Sequence, residues 1–306
     1  MTHAQGEENA NASRGLWLGL IGITLFAATL PMTRIATGTT DAPLMSALFV
    51  AMARAVLAGL LSLLLLIGTR APMPAREDWV PLAITAAGVV FGFPLFTSVA
   101  MRQVEAIHAS VIVGVLPLAT AVVGALLHRQ RPSPMFWGCG MLGCLWVTSY
   151  ALIRAGSTLS SLHLQAADLM LFAAMVCAAV GYGYGGRLSK HMRGEHVICW
   201  ALVISLPITV PIAAWDWPST EIPTASWGAL AYMGVFPMWL GFFAWYRGLA
   251  LGGTVRVSQV QLIQPFLSML FSVPLLGESL DIQSFGFGLG VIAIVFVSKK
   301  MPVHPR

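Results

Sequence analysis

The stretch "VSQVQLIQPFLSMLFSVPLLGES", residues 257–279, combines an apolar composition with three glutamines and two prolines. A run of about 20 mostly apolar residues is long enough to cross the hydrocarbon core of a bilayer as a helix. Polar side chains within such a run are costly unless they face protein or water. The stretch therefore predicts a membrane helix with one polar face, which lines a cavity.

The composition of the whole chain agrees with this interpretation. Of its 306 residues, 57% are hydrophobic and only 9% are charged, and the mean hydropathy is +0.80. Ordinary soluble domains are about a quarter charged. Apolar windows of spanning length recur at 15–34, 43–67, 79–100, 105–127, 134–153, 168–187, 196–215, 225–247, 254–276 and 281–298. The sequence thus predicts an all-α integral membrane protein with ten transmembrane helices.

The distribution of Lys and Arg predicts how these spans are oriented. If the N-terminus is cytoplasmic, thirteen of the 17 basic residues lie in inner segments and three in outer ones, with Arg54 inside the second span. Positive charge is held on the cytoplasmic side of a membrane. We therefore expect an inner-membrane protein with both termini in the cytoplasm. The net charge of +5 then reflects topology and not nucleic-acid binding.

An internal duplication divides the chain into two halves. A shift of 148 residues places Pro117 on Pro265 and Gly138 on Gly286. Because five spans is an odd number, the second half enters the membrane from the opposite side, which makes the repeat inverted. The predicted parts are a disordered cytoplasmic tail at 1–14, a first five-helix repeat at 15–155, a second five-helix repeat at 165–299 and a cytoplasmic tail at 300–306.

The paired segments "LPLATAVVGALLHRQRPSPMFWGCGM" and "QPFLSMLFSVPLLGESLDIQSFGFGL" resemble the EamA-type drug/metabolite transporter superfamily. The second segment keeps that family's Pro265, its "LLGE" at 275–278 and its Gln283, whereas the first has "LLHRQ", so nothing is carried onto Gln130. The resemblance implies a ten-helix bundle that exports small metabolites through the inner membrane. Aromatic content and length are most similar to the bacterial aromatic amino-acid exporters of the YddG type.

The polar face of the ninth span is the first candidate for a substrate site. Gln261 and Pro265 recur at helical spacing, with Gln264 beside them. The amides of Gln261 and Gln264 can meet the ammonium and the carboxylate of an amino acid, although they can equally bond neighbouring helices. Pro117 and Pro265 each remove a backbone hydrogen bond, and they predict bends that serve gating.

Aromatic residues supply a second candidate surface. At spacings of 4, 3, 4 and 3, the eighth span carries Tyr232, Phe236, Trp239, Phe243 and Tyr246. Such a stripe can stack on an aromatic ring or an organic cation, or it can pack against neighbours and lie at the membrane interface. We predict substrate contact for Trp239, Phe243 and Tyr246, and for Tyr182 in the sixth span.

Charged residues inside the spans bear on the mechanism. Arg54 lies about halfway along the second span, where it needs carbonyls, a carboxylate or water, and a structural role is as plausible as substrate binding. No Asp or Glu occupies the middle of a predicted span, although proton relays and cation sites often need one. The sequence leaves facilitated diffusion, exchange and proton coupling open.

These features predict a secondary transporter that exports amino acids, including aromatic ones, or related small metabolites by alternating access. A drug or organic-cation exporter is one alternative, and a non-transporting membrane enzyme or receptor is another. The sequence has no G-x-x-x-x-G-K-[ST] motif for ATP hydrolysis, and we expect no cofactor, metal or catalytic residue. The expected partners are the bilayer and a small-molecule substrate, for a chain that is monomeric or packs through its glycine-rich faces.

Overall fold

Helices make up nearly all of the computed structural model, which describes residues 2–104, 109, 113–154 and 166–276, with 286, 289–290, 293–294, 297 and 303–305 beyond them. The first half contains α1 (Thr2–Ala27), α2 (Thr29–Thr37), α3 (Ala47–Gly68), α4 (Trp79–Ala86), α5 (Phe93–Ala100), α6 (Leu116–Leu127) and α7 (Pro134–Arg154).

The second half contains six more described helices. They are α8 (Ala166–Leu188), α9 (Gly194–Trp215), α10 (Thr224–Val235), α11 (Gly241–Gly252), α12 (Thr254–Val257) and α13 (Gln264–Leu276). A short antiparallel ladder pairs β1 (Gln130–Pro132) with β2 (Val303–Pro305). This ladder joins the segment after α6 to the end of the chain.

Among the residues that the structure describes, six helical runs are long and apolar enough to cross a membrane. They are Ala10–Thr37, Ala47–Gly68, Arg76–Ala100, Ala166–Leu188, Gly194–Trp215 and Thr224–Gly252, and Leu116–Leu127 is a shorter apolar helix. Each of the first nine predicted spans contains a described helix. The tenth, 281–298, lies outside the described residues apart from isolated positions, so the count of ten stays a prediction.

The first helix begins earlier than the sequence predicts. Residues 1–14 are an expected disordered tail, yet α1 runs from Thr2 without a break into the first apolar span. Alanine, glutamine and glutamate are good helix formers, and extending an existing helix avoids the cost of a new nucleus. The apolar span therefore carries helical structure into the polar segment that precedes it.

Helices of the first half pair with helices of the second half. Helix α1 packs along α11, α3 along α9, and α2 against α10, while α5 and α6 both pack on α8. One large cluster of buried apolar side chains draws members from both halves, including Ile23, Leu82, Leu171 and Trp245. The two halves therefore share their core and do not form separate bodies.

Two of these pairings depend on glycines. A Cβ on Gly15 would overlap the backbone of Gly252, and one on Gly248 would lie 2.8 Å from the carbonyl oxygen of Gly15. A Cβ on Gly88 would likewise lie 3.0 Å from the Cα of Gly181. Small residues let membrane helices approach closely enough for backbone contact. The glycines thus set the spacing of α1 on α11 and of the third span on α8.

Four helical runs are interrupted near their middles. Ala28 forms a turn between α1 and α2, a first π turn (Ala87–Gly92) joins α4 to α5, a second π turn (Phe236–Leu240) joins α10 to α11, and a 3₁₀ turn (Ser258–Ile263) joins α12 to α13. A proline lies in or just after each interruption, at Pro31, Pro94, Pro237 and Pro265. Since proline cannot continue the hydrogen-bond ladder of an α-helix, each one favours irregular geometry at its site.

The two ends of the bundle differ in charge. One end, called the basic end here, carries Arg129, Arg187, Lys190, Arg193 and Arg247, and polar contacts across it join His191 to Asp78 at 2.9 Å and Lys190 to His128 at 3.2 Å. At the opposite end Ser46, the N-cap of α3, bonds to Asp216, and Arg34 donates to the carbonyl of Met101 at 2.6 Å. Each end is therefore closed by contacts between different helices.

Candidate substrate cavity

The main cavity lies inside the bundle, where the interrupted helices meet. The volume of this cavity is about 30 Å³. Its walls come from α1, α2, α3, both π turns and the helices beside them, α8 and α13. Irregular turns within helices recur at functional sites, and here all four interrupted runs contribute to one cavity.

A second cavity adjoins the first and shares one residue with it. It has a volume of about 10 Å³ and is lined by Leu30, Val113, Leu116, Gln261, Gln264, Pro265 and Ser268. Gln264 lines both cavities. The side chain of Gln264 therefore links the aromatic part of the interior to the polar face of the ninth span.

Residues at equivalent positions of the two halves line the same cavities. Several lining residues form pairs that are 148 positions apart in the chain. The pairs are Val89 with Pro237, Pro94 with Phe242, Val113 with Gln261 and Leu116 with Gln264. The lining is related in position but not in chemistry, because the second half supplies the amides and the first half aliphatic side chains.

The glutamines of the ninth span lie together, as the sequence predicts. The 3₁₀ turn has about three residues per turn, so Gln261 and Gln264 project from the same face. Gln261 is 2% exposed, and among the described residues neither its amide oxygen nor its amide nitrogen has a hydrogen-bond partner. A buried polar group without a partner is destabilising. The Gln261 amide is thus available to a molecule that enters the cavity.

Three aromatic rings form one wall of the main cavity. Tyr182, predicted from the sequence, is 5% exposed and lies nearly parallel to Phe26, with ring centroids 6.3 Å apart. Phe242 contacts both rings, at 5.0 Å from Phe26 and 6.0 Å from Tyr182. All three residues line the cavity. This aromatic wall offers stacking and edge contacts to a planar apolar group.

The other predicted aromatic residues lie elsewhere. Tyr246 is fully buried and donates to the carbonyl of Gly181 at 3.3 Å, and Phe243 lines a separate groove at the basic end. Trp239 packs edge-on against Phe243, with ring centroids 5.0 Å apart, and does not line the main cavity. The lining residues on this run are Met233, Pro237, Met238 and Phe242, which share a different face of the helix from Trp239 and Phe243. The second π turn adds one residue to the turn and so makes Phe242, five residues after Pro237, the next lining position.

Arg54 lies in the wall of the main cavity on α3. It is 2% exposed, and its Nη1 lies 3.7 Å from the sulfur of Met233, which is a weak acceptor. Its Nε and Nη2 have no hydrogen-bond partner in the part of the chain that the structure describes. The helix-end carbonyls that a structural role would need are therefore not bonded to this guanidinium.

The two prolines predicted to serve gating occupy similar positions. Pro117 is the second residue of α6, and Pro265 is the second residue of α13. Proline is tolerated in the first turn of a helix, where its missing N–H has no intrahelical partner to lose. Each proline therefore marks the start of an α-helical segment after irregular backbone, and its part in gating stays a prediction.

Sequence reasoning missed Phe26, Thr29, Met233 and Phe242, all of which line the cavity. The two Phe-Pro pairs, Phe93-Pro94 and Phe236-Pro237, are the signal that could have located two of the interruptions. Phe26 and Thr29 carry no such signal. They reach the cavity because the turn at Ala28 interrupts the first span between them.

A hydrogen-bonded chain crosses the basic end below the cavity. Nζ of Lys190 lies 3.2 Å from Nδ1 of His128, whose Nε2 lies 3.2 Å from the hydroxyl of Thr254. Burial, and after it the charges of Lys190 and Arg187, lowers the pKa of His128 to about 4. Neutral His128 accepts from the ammonium and donates to the hydroxyl, and it connects the end of α6 to α8 and α12.

Acidic and metal-binding side chains are not gathered near the cavity. Within the residues that the structure describes, no three His, Cys, Asp or Glu side chains come together as a metal site needs. The polar chemistry of the two described cavities comes from one guanidinium, two amides and the hydroxyls of Thr29, Tyr182 and Ser268. Such a set binds polar groups through hydrogen bonds and charge.

This arrangement defines a multi-pass helical membrane protein with a polar and aromatic interior cavity. A sequence model of the EamA-like transporter family matches the chain at residues 13–153 and again at 165–299. The two matches cover most of the 306 residues. The chain therefore belongs to the EamA-like transporter family, and its function is membrane transport.

Individual relatives are similar over most of their length. The chain is 38% identical over 295 residues to the uncharacterized transporter YdeK of Bacillus subtilis (strain 168), which covers 95% of this chain and 99% of that protein. It is 22% identical over 256 residues to the inner membrane protein YtfF of Escherichia coli (strain K12), covering 76% and 79%. A solved crystal structure with 18% identity has a TM-score of 0.71, covers 93% of this chain and 97% of that one, and shares the fold.

Proposed function

We propose that the protein is a secondary transporter that exports amino acids, including aromatic ones, or related small metabolites by alternating access. The observation that carries the proposal is the combination of side-chain amides with an aromatic wall inside one pair of adjoining cavities. The amides of Gln261 and Gln264 suit the polar groups of an amino acid. The rings of Phe26, Tyr182 and Phe242 suit its side chain.

Alternating access follows from two inverted five-helix repeats, at 15–155 and 165–299, that exchange roles on the two sides of the membrane. Two observations support this part of the proposal. The family model matches two segments, 13–153 and 165–299, and residues 148 positions apart line the same cavities. The interrupted helices around the cavity supply the places at which each half can bend.

The direction of transport depends on the orientation in the inner membrane, for which we propose cytoplasmic N- and C-termini. The basic end of the bundle supports it, because Lys190 and Arg256 of that end line one groove together with Ala12 of α1. Positive charge is retained on the cytoplasmic side during insertion. Export then moves substrate from the basic end towards the end that carries Ser46 and Asp216.

The test is transport by the purified protein in liposomes preloaded with unlabelled amino acids. We expect uptake of labelled phenylalanine in excess of labelled threonine, without a pH gradient, because substrate exchange needs no other driving force. A pH gradient that is required for uptake would indicate proton coupling instead. No flux of either amino acid would contradict the proposal, and flux of an aromatic organic cation alone would favour a drug exporter.

The glutamines provide a matched set of variants. Gln261→Leu and Gln264→Leu each remove hydrogen bonds to the substrate worth about 1 to 2 kcal/mol, and we expect the KM for phenylalanine to rise about 5- to 30-fold. The control is Gln259→Leu, because Gln259 is also 2% exposed with an unpartnered amide but lines neither cavity. An equal loss in all three variants would show that the amides act through folding and not through the site.

A further inference from the structure

The guanidinium of Arg54 is a positive charge that nothing described in the structure neutralises. It lies in the wall of the main cavity, 2% exposed, and its Nε and Nη2 have no partner. The described ion pairs join other residues, at the basic end of the bundle. Arginine stays protonated in proteins, so the cavity of the described structure contains a net positive charge.

A cation in this position is costly unless a ligand compensates it. Burying one charge without a partner is strongly unfavourable, because the lost hydration is not replaced. The neighbouring polar groups of the cavity, on Thr29 and Gln264, offer dipoles but no negative charge. Charged residues inside membrane spans face the transport pathway when they are retained. The missing counter-charge therefore points to the transported molecule.

We infer that Arg54 binds the carboxylate of the substrate, an inference that rests on the proposed transport function. The guanidinium presents two N–H-bearing nitrogens without protein partners, which matches the bidentate geometry that arginine uses with carboxylates. The substrate class is then carboxylates, zwitterionic or anionic. Organic cations are excluded from this site, because they would meet a like charge in a poorly hydrated space.

The other lining residues contact different groups of the substrate. The aromatic wall of Phe26, Tyr182 and Phe242 lies in the same cavity as Arg54, so a ring and a carboxylate are accommodated together. The amides lie towards the second cavity, where they reach the amino group. Selection on the carboxylate is therefore stronger than selection on the amino group, since only the carboxylate meets a full opposite charge.

The test uses three ligands that share the aromatic ring. Phenylalanine has both charged groups, N-acetylphenylalanine has only the carboxylate, and phenylalaninamide has only the ammonium. Binding is measured from the shift that each ligand causes in thermal unfolding of the purified full chain, and from competition with labelled phenylalanine. We expect the wild-type protein to bind the first two and to bind phenylalaninamide about 10- to 100-fold more weakly.

Substitution of Arg54 should remove this selectivity. Arg54→Gln is expected to weaken binding of phenylalanine and of N-acetylphenylalanine about 10- to 100-fold and to leave phenylalaninamide unchanged. Arg54→Lys keeps the charge without the bidentate fork, so it should retain the preference for carboxylates at lower affinity. Arg247→Gln, at the basic end, controls for the loss of a positive charge outside the cavity.

A stability measurement separates binding from a structural role. If Arg54 is an uncompensated charge in the ligand-free protein, Arg54→Met should raise its melting temperature while abolishing binding of carboxylates. If Arg54 holds the helices together, every substitution should lower the melting temperature. A lower melting temperature together with unchanged ligand selectivity overturns the inference.

The outcomes also separate the inference from the proposed function. If amino acids are exchanged but phenylalaninamide binds as tightly as phenylalanine, the role of Arg54 is wrong and transport stands. If no amino acid binds, phenylacetate, which has a carboxylate and no amino group, is the remaining probe. Stabilisation of the wild type but not of Arg54→Gln by phenylacetate would support Arg54 and contradict amino-acid transport, and its failure would overturn both.

Discussion

Phe242 closes the aromatic wall between Phe26 and Tyr182, and it is 5% exposed. One ring in such a cluster contributes about 0.5–1.5 kcal/mol to an aromatic contact. Its position in the cavity makes it the residue on which a preference for aromatic substrates depends. The conformation that places it there is the second π turn, which lies between α10 and α11 and ends at Leu240, two residues before Phe242.

Phe242→Leu should reduce discrimination between aromatic and aliphatic substrates. Leucine fills similar space but cannot stack, so we expect the ratio of kcat/KM for phenylalanine over threonine to fall about 2- to 10-fold. Initial rates of exchange in liposomes give the ratio. Trp239→Leu is the matched control, because Trp239 precedes Phe242 by one turn and does not line the main cavity. A drop in the ratio for Trp239→Leu alone would indicate that the substrate contacts the predicted aromatic stripe that contains Trp239, and not Phe242.

At single positions, the two predicted glutamines both line a cavity, whereas of the four predicted aromatic residues Tyr182 alone lines the two described cavities. Gln261 and Gln264 line the cavities because a polar side chain in a membrane span has few other stable positions. Aromatic rings are stable in cores, at interfaces and in sites alike, so spacing alone could not separate Tyr182 from Trp239. For Arg54 the sequence does not separate a structural role from substrate binding, because it does not show whether a carbonyl is within reach of the guanidinium.

Among the elements, the junction of α6, α8 and α12 should depend on pH. His128 is neutral in the folded protein because its pKa falls to about 4, whereas an unfolded histidine has a pKa of about 6.5. The unfolded chain therefore binds more protons between these values, and the contribution of His128 to stability is present above about pH 6.5 and is lost as the pH falls towards 4.

The comparison is between the melting temperatures of the wild type and His128→Gln in detergent at pH 7 and at pH 5. We expect the wild type to lose more stability than the variant over this range, because glutamine can bridge Lys190 and Thr254 without titrating. Equal losses would mean that the chain of hydrogen bonds does not depend on neutral His128. Carboxylates that titrate elsewhere affect both proteins alike and cancel in the difference.

Irregular turns limited how well the elements could be predicted. Regular helices follow from apolar runs of sufficient length, and the first nine spans each contain one. The π and 3₁₀ turns change the angle between successive side chains. A prediction of the face on which a side chain lies, made with a rotation of 100° per residue, is therefore wrong beyond such a turn. Gln261 and Gln264 still lie on one face of the ninth span, because the 3₁₀ turn has about three residues per turn and these residues are three apart.

For the whole molecule, orientation can be tested with single cysteines in a variant that lacks Cys139, Cys144, Cys177 and Cys199. Thr40 and Lys190 are exposed at opposite ends of the bundle. With the termini in the cytoplasm, a membrane-impermeant maleimide should label Thr40→Cys in intact cells and Lys190→Cys only after permeabilisation. The reverse labelling pattern would mean that both termini lie outside the cytoplasm. Transport in the proposed direction through the bundle would then be import.

The membrane class and the family follow from composition and repeated segments, but the packing of the halves does not. Hydropathy finds spans one at a time, and it carries no information about which spans touch. The pairing of α1 with α11 and of the third span with α8 depends on matched small residues far apart in the chain. Such contacts become visible only when both partners are in place.

The glycine contact between Gly15 and Gly252 also orders events during synthesis. At 5–20 residues per second, the ribosome reaches Gly252 roughly 10 to 50 seconds after Gly15. Throughout that interval α1 lies in the lipid without its contact to α11. A truncated chain that ends before α11 would leave the glycine surface of α1 exposed to lipid. We expect membrane proteases to recognise and degrade such a chain. Early stop codons in the gene should therefore leave no stable half-transporter behind.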